Sequence, residues 1–315
     1  MSLVVASQFE DDFNDRLRAL DLKPAVIPVP EDEPWSVARE ADILFVRPSP
    51  VWRSNRLSAK PAAWPGRLKW VLSGSVGIDW YPRWLLDAPI VTCGRGIAST
   101  EIADYVIAAI YLQAKDLEAA RARNLADWTY KPLGSVSGST VGILGFGAIG
   151  TEIARRALAL GANVVANRRR ILPSAVGGVR LVDDPAAVIA AADHLVVAVP
   201  LTPSTDKLVD ARLLARARPG AHLINIARGG VVDQEALVAA LDAGRLGFAT
   251  LDVTDPEPLP DGHPLWTHSK VRLTPHISSN YTSVRHRMFE KVANDLSRFA
   301  RGETPSDVVD PVAGY

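Results

Sequence analysis

The chain has 315 residues, 48% of them apolar, which is enough for two packed domains and too apolar for a disordered chain. Its 35 basic and 35 acidic residues cancel, so no global field draws it to nucleic acid or to an anionic membrane. The single cysteine, Cys93, excludes an intrachain disulfide and a multi-cysteine zinc site and fits a reducing, cytoplasmic setting.

The first residues, Met1-Ser-Leu-Val-Val-Ala, carry no basic region and no long apolar run, so neither a signal peptide nor a membrane span is expected. Strands are expected over Leu3 to Ser7, Ala25 to Pro28 and Ile43 to Arg47, with helices over Phe13 to Leu20 and Ser36 to Glu40 between them. Leu68 to Leu72 and Ile90 to Cys93 add two short strands and complete a first parallel-sheet domain. A long helix is then expected from Ser99, as N-cap, to about Leu125, with Ile102, Val106, Ala109 and Ile110 on one face. It is expected to cross from one domain to the other.

The next stretch, Val141-Gly-Ile-Leu-Gly-Phe-Gly-Ala-Ile-Gly150, runs from a strand (Thr140 to Phe146) through a glycine-patterned turn into a helix (Thr151 to Leu160). Gly145 suits the tight turn, Gly147 lets a pyrophosphate approach the backbone, and Gly150 lets the helix pack on the strand. The amides that open the helix, at Ala148 and Ile149, face such an anion. A bare G-x-G-x-x-G also arises for structural reasons, but the strand, turn, helix and following strand (Asn163 to Ala166) make this one a dinucleotide site.

Further strands follow at Leu181 to Val182, His194 to Val199, His222 to Ile226, Phe248 to Val253 and Val271 to Leu273. Helices lie between them, Asp184-Pro185 and Asp233 being N-cap signals, and a final helix spans Val284 to Arg301. The proline-containing tail after it is expected to pack back on the first domain. This alternation is a doubly wound α/β sheet, in which ligand chemistry sits outside the carboxyl ends of the strands.

Three segments stand at those ends: Asn225-Ile-Ala-Arg-Gly-Gly230, Leu251-Asp-Val-Thr-Asp-Pro-Glu-Pro258 and Leu273-Thr-Pro-His276. They offer Arg228, Glu257 and His276. Singly, each has a plain reading as a surface cation, a loop carboxylate and a hydrogen-bonded core histidine. Their joint placement downstream of a dinucleotide turn favours catalysis. The remaining histidines have no comparable setting. No H-E-x-x-H or G-x-S-x-G is present, so a zinc protease, a hydrolase and a metal site have no foothold.

With VGILGFGAIG, the VPLTPST run from Val199, NIARGGVVDQEAL, LDVTDPEPLP, HPLW and TPHIS, the sequence resembles the D-isomer-specific 2-hydroxyacid dehydrogenase family over nearly its whole length, and within it glyoxylate/hydroxypyruvate reductases. The resemblance implies two Rossmann-like parallel-sheet domains: a substrate domain split between residues 1–98 and 285–315, and a dinucleotide domain over 99–284. It implies that Arg228 holds the substrate carboxylate and carbonyl oxygen, that His276 is the proton donor and acceptor, and that Glu257 pairs with it. Asp252 would contact the nicotinamide carboxamide. Val199, Pro200, Thr205, Ile226, Ala227 and Ser278 would lie along the cofactor, and the amides of Ser75, Val76 and Gly77 would meet the substrate carboxylate. It also implies a homodimer paired through the nucleotide domains, a reading that the apolar face of the helix after Ser99 shares.

The chemistry supports those residue types independently. Reducing a 2-keto acid adds a hydride to carbon and a proton to oxygen, so an acid must stand beside the oxygen, and histidine titrates near neutrality. A nearby carboxylate favours the imidazolium. Arginine grips a carboxylate through two parallel charge-assisted bonds, which lysine does not reproduce.

Two departures from the family pattern bear on specificity. Many members carry a carboxylate for the adenosine ribose about 20 positions past the glycine turn. Here Asn167, Arg168, Arg169 and Arg170 stand instead, which points to NADP with NAD as the second choice. In the first domain, Arg47, Ser49, Trp52 and Arg53 near a strand end either shape substrate choice or are plain surface, and Trp52, Trp80, Trp84 and Trp266 are candidates to line a pocket. The reading from another class is a cofactor-sensing regulatory protein on the same fold. Within the enzymes, the rival is a dehydrogenase of another small anion, formate or phosphite.

Overall fold

The computed structural model describes residues 3–31, 39–55, 58–169, 174, 176–279, 281–311 and 314. They form two compact units, Met1–Ile97 with Tyr281–Tyr315, and Ala98–Asn280.

In the first unit a parallel sheet has the order β2-β1-β3-β4-β5, with β1 Val4–Ser7, β2 Ala25–Pro28, β3 Ile43–Val46, β4 Trp70–Ser73 and β5 Val91–Thr92. Every residue of β3 and β4 is buried, as expected of central parallel strands covered on both faces. Helix α1 (Asp11–Arg18) turns Phe13, Asn14 and Leu17 inward and places Asp11 and Asp12 at its positive end. Helix α2 (Pro50–Asn55) follows β3. The chain returns to this unit through the last helix, α8 (Tyr281–Ala300), whose Val284, Met288, Val292 and Leu296 form a buried stripe at four-residue spacing. Its Phe289 packs edge-on to Phe13 at 5.4 Å between ring centroids. The tail then docks as expected: Val309 donates its amide to Val91 at 2.8 Å. Asp295, fully buried, accepts both the amide and the hydroxyl of Ser306, and Lys291 reaches Asp307 at 2.6 Å.

The second unit holds a seven-stranded parallel sheet of order β12-β11-β10-β9-β6-β7-β8. Its strands are β6 Thr140–Leu144, β7 Asn163–Asn167, β8 Val179–Val182, β9 His194–Val197, β10 Ala221–Asn225, β11 Leu246–Leu251 and β12 Val271–Leu273. The helices are α3 Ser99–Lys115, α4 Ala148–Ala159, α5 Pro185–Ala191, α6 Ala211–Leu214 and α7 Gln234–Asp242. The order reverses between β6 and β9, the switch point where such sheets bind ligands. Asp184, Asp210 and Asp233 cap α5, α6 and α7 through their carboxylates.

Four sequence expectations need correction. Helix α3 ends at Lys115, well before Leu125, where Asp116 turns left-handed at φ 34°. Its buried stripe stops at Ile110, and beyond it Leu112 and Leu117 face solvent with nothing to sustain a helix. Ser99 is the first helical residue, with its hydroxyl buried and unbonded, and Ala98 occupies the cap position. Helix α3 lies wholly in the second unit and does not pass between units. Helix α4 starts at Ala148 because Gly147 is its cap, and Thr151 bonds back to the Gly147 carbonyl. The helix expected over Ser36 to Glu40 lies, up to Ala38, outside the described residues, as does Arg170. Among the described residues no helix is long and apolar enough to cross a membrane.

Candidate active site

The glycine turn sits at the carboxyl end of β6, beside the switch point. Gly145 has φ +99°, and a β-carbon there would stand 2.5 Å from the Ala198 carbonyl oxygen. A β-carbon at Gly150 would stand 2.4 Å from the Gly145 carbonyl oxygen, so both positions exclude any side chain. At Gly147 a β-carbon would meet open space, the side from which a diphosphate can approach the backbone. Among the described residues the amides of Ala148 and Ile149 find no protein acceptor at the start of α4, which suits an anion there. The turn is tied to β7 by the Gly145 and Phe146 amides, both donating to the Asn167 carbonyl.

Asn167 spends its own side-chain amide on the carbonyls of Val182 and Asp183, at 3.3 and 2.7 Å. Arg168 follows half-buried, with its guanidinium carbon 5.8 Å from the centre of the Phe146 ring, and Arg169 is exposed. The cation is therefore next to the glycine turn. Past β9, Val199 and Pro200 lead into a loop closed by Thr205, whose hydroxyl donates to the Pro200 carbonyl at 2.6 Å. Val199 lies against Gly145, which brings this loop to the same edge of the sheet.

After β10, Ile226 and Ala227 are buried, and the side chain of Asn225 braces the turn by accepting from the Ala227 amide and donating to the Arg228 carbonyl. Arg228 is half-buried and donates to the Ala227 carbonyl at 2.8 Å. The segment after β11 is held against α7, where Gln234 accepts the Asp255 amide at 3.0 Å.

His276 and Glu257 meet: Nδ1 of the imidazole lies 2.8 Å from Oε1 of the carboxylate, with the side chains 34% and 21% exposed. A carboxylate facing a ring nitrogen accepts a proton from it, so Nδ1 carries hydrogen and Nε2 is the atom left for exchange. His276 has φ +55°, a left-handed conformation costing a non-glycine residue about 1–2 kcal/mol. Asp252 offsets that cost. Its carboxylate, only 1% exposed, accepts from the amides of Ile277 and Ser278 at 2.8 and 2.9 Å and from the Thr274 hydroxyl at 2.7 Å. Asp252 thus anchors the His276 turn through both of its oxygens.

In the first unit, the loop Ser73–Gly77 is shaped by its own hydroxyls: Ser75 donates its amide to Ser73 Oγ and its hydroxyl to the Gly77 carbonyl. Among the described residues the amides of Val76 and Gly77 have no protein acceptor, which fits an anion. Arg47 is held by two carboxylates, Glu10 at 2.7 Å and Glu31 at 2.7 Å, so its charge is balanced inside the unit. Trp52 is buried and bonds Gln8, and Trp84 is buried against Trp64; both are core residues. Among the described residues no cluster of three metal-ligating side chains occurs.

A family model for the D-isomer specific 2-hydroxyacid dehydrogenase NAD binding domain matches residues 107–278, more than half of the chain. The chain belongs to this family. Its segment is 37% identical over 179 residues to the glyoxylate/hydroxypyruvate reductase A of Serratia proteamaculans, covering 56% of each chain. It is 36% identical over 301 residues to the chloroplastic D-3-phosphoglycerate dehydrogenase 2 of Arabidopsis thaliana, covering 89% of this chain and 45% of that one. The matches thus span about half the length of these curated relatives. A solved D-isomer specific 2-hydroxyacid dehydrogenase of Xanthobacter autotrophicus Py2, in complex with NADPH and MES, aligns over 100% of both chains at 28% identity with a TM-score of 0.82.

For a 2-hydroxyacid dehydrogenase, sequence reasoning missed three residues of this site: Asn225, Tyr105 and Thr274. Asn225 opens the motif that carries Arg228, and Thr274 stands two before His276, so adjacency was a signal for both. Tyr105 gave none, because its partner Thr274 is 169 residues away in sequence.

Proposed function

We propose that the chain reduces a small 2-keto acid, of the glyoxylate or hydroxypyruvate kind, to the D-2-hydroxy acid with NADP(H), taking NAD(H) less well. The observation that carries this is the His276–Glu257 pair at 2.8 Å, on a turn at the sheet edge that also bears the glycine turn. A bound nicotinamide supplies the hydride to the carbonyl carbon. Arg228 holds the substrate carboxylate and draws charge onto the carbonyl oxygen. His276 delivers the proton from Nε2, and Glu257 stabilises the imidazolium before transfer and fixes the ring through Nδ1.

The cofactor preference rests on Arg168, beside Phe146 of the glycine turn where a carboxylate would repel a 2′-phosphate. A charge-assisted bond of about 1.5–3 kcal/mol before screening gives roughly a tenfold to hundredfold preference. The relative with NADPH in its crystal structure supports the same choice. We further infer a cytoplasmic enzyme that pairs through its nucleotide units. Support comes from the stretch after α3, where Leu125, Trp128 and Tyr130 are 90%, 81% and 93% exposed, an apolar surface that a second copy would cover.

The test is consumption of NADPH and NADH, followed by near-ultraviolet absorbance, with glyoxylate, hydroxypyruvate, pyruvate and the oxidised form of 3-phosphoglycerate. Formate and phosphite are run in the oxidative direction. We expect turnover with the small keto acids and higher kcat/KM with NADPH, the preference collapsing in Arg168→Asp at fixed ionic strength. Equal or NADH-favouring values in the unaltered enzyme would defeat the cofactor assignment. Binding of NADPH with no turnover of any substrate would favour the regulatory reading.

A further inference from the structure

Behind the His276 turn lies a chain of hydroxyls that the reaction itself does not call for. The Tyr105 hydroxyl, from the middle of α3, is 2.6 Å from Thr274 Oγ1, and Thr274 Oγ1 is 2.7 Å from Asp252 Oδ1. The direction of these bonds follows from counting protons. Asp252 already receives two backbone amides, one on each oxygen, and acts as acceptor throughout. Thr274 has one hydroxyl proton and gives it to Asp252. Tyr105 must then donate to Thr274. Burial raises the Tyr105 phenol above its ordinary pKa, so it stays a donor across the neutral range.

The amides that Asp252 fixes belong to Ile277 and Ser278, the two residues after His276, and the His276 amide itself donates to the carbonyls of Asp252 and Thr274 at 2.9 Å each. Asp252 is therefore the hub of a left-handed turn that would otherwise relax, and a buried hub is only as well placed as its donors. We propose that Tyr105 and Thr274 are positioning residues for His276: their hydroxyls orient the Asp252 carboxylate, and through it the turn that sets where Nε2 stands. Helix α3 thereby braces the proton donor from outside the three strand-end motifs. The catalytic half of this proposal rests on His276 being the proton donor.

The experiment uses the full chain carrying Thr274→Val, Thr274→Ser or Tyr105→Phe. Three quantities are read: hydrogen exchange of the peptide spanning residues 276–279, kcat and KM for glyoxylate, and NADPH affinity by fluorescence. Thr274→Val, close in shape but without the hydroxyl, is expected to speed exchange of that peptide and lower kcat by roughly tenfold to a hundredfold, the scale of small misplacements at a reacting centre. NADPH affinity should hold. Thr274→Ser should restore both quantities, and Tyr105→Phe should move them in the same direction by less. Should Thr274→Val fail to fold, Tyr105→Phe carries the test alone, since it removes one oxygen and keeps the ring. Exchange and kcat both unchanged in Tyr105→Phe and Thr274→Val would overturn the proposal. Faster exchange with unchanged kcat would overturn the catalytic half alone, since the reading of His276 as proton donor fails only if His276→Ala keeps near-native kcat. If glyoxylate is not turned over at all, the exchange data still decide whether the hydroxyls hold the turn.

Discussion

Glu257 and His276 are coupled through the contact of Nδ1 with Oε1, and Glu257→Gln removes the carboxylate's charge while keeping its shape. In Glu257→Gln the ring loses the carboxylate that fixes Nδ1, so kcat for keto-acid reduction should fall by roughly tenfold to a hundredfold, the scale of small misplacements at a reacting centre, while NADPH affinity holds. An unchanged kcat would show that the carboxylate does not influence the proton donor. Arg228 belongs to the same scale: its side chain is already oriented by the Ala227 carbonyl, and its turn by the Asn225 side chain, before any substrate arrives. That pre-orientation is what lysine, with a single point charge on a flexible stem, would lack.

Among the elements, β9 and β10 carry a feature at their amino ends, away from the site. His194 and His222 lie with Nδ1 atoms 3.4 Å apart, and His222 also bonds the Thr250 hydroxyl at 2.9 Å. Burial, with further contributions from His194 and Arg272, depresses His222 to about 3, and burial also lowers His194, partly opposed by Asp193. Both rings are therefore neutral in the fold. The unfolded chain takes up their protons from about pH 6.5 downward, so the stability they contribute is present above that pH and is lost as pH falls toward 3. The loss attributable to His222 is on the order of a few kcal/mol. His222→Gln should flatten the fall of the urea midpoint between pH 7 and pH 4, even if it lowers the midpoint at pH 7. An unaltered slope would show that the pair does not couple to folding.

The same strands show what was legible in the sequence. The glycine turn, the three strand-end motifs and the caps Asp184 and Asp233 were readable because each is local: a turn, a strand end or a cap signals itself within a few residues. The contact of His194 with His222 was not, since both open strands and only the sheet order places them side by side. The end of α3 was unreadable for another reason. Neither glycine nor proline follows Lys115, and Asp116 adopts the left-handed stop itself. Tyr105 sits off the apolar stripe of α3, where a sequence reading sees an ordinary half-exposed position.

For the whole molecule, the sheet orders decide more than any single motif. The second unit reverses direction at β6 and β9, and the glycine turn and the Val199–Thr205 loop open at that reversal, with Arg228 and His276 following the next strands outward. The exposed stretch after α3 is expected to make the chain a dimer, so sedimentation at micromolar concentration should give twice the 33.9 kDa chain mass. Trp128→Glu with Leu125→Glu should return it to monomer. A monomer in the unaltered protein would remove the second copy as occupant of that surface.

The most direct test of the account is the turnover of His276→Ala with glyoxylate and NADPH, measured beside NADPH affinity. The turn's backbone bonds and the glycine turn do not depend on the imidazole, so affinity should hold while kcat falls by roughly 10²–10⁴-fold, the scale of a lost general acid. A His276→Ala enzyme that retains near-native kcat would contradict it.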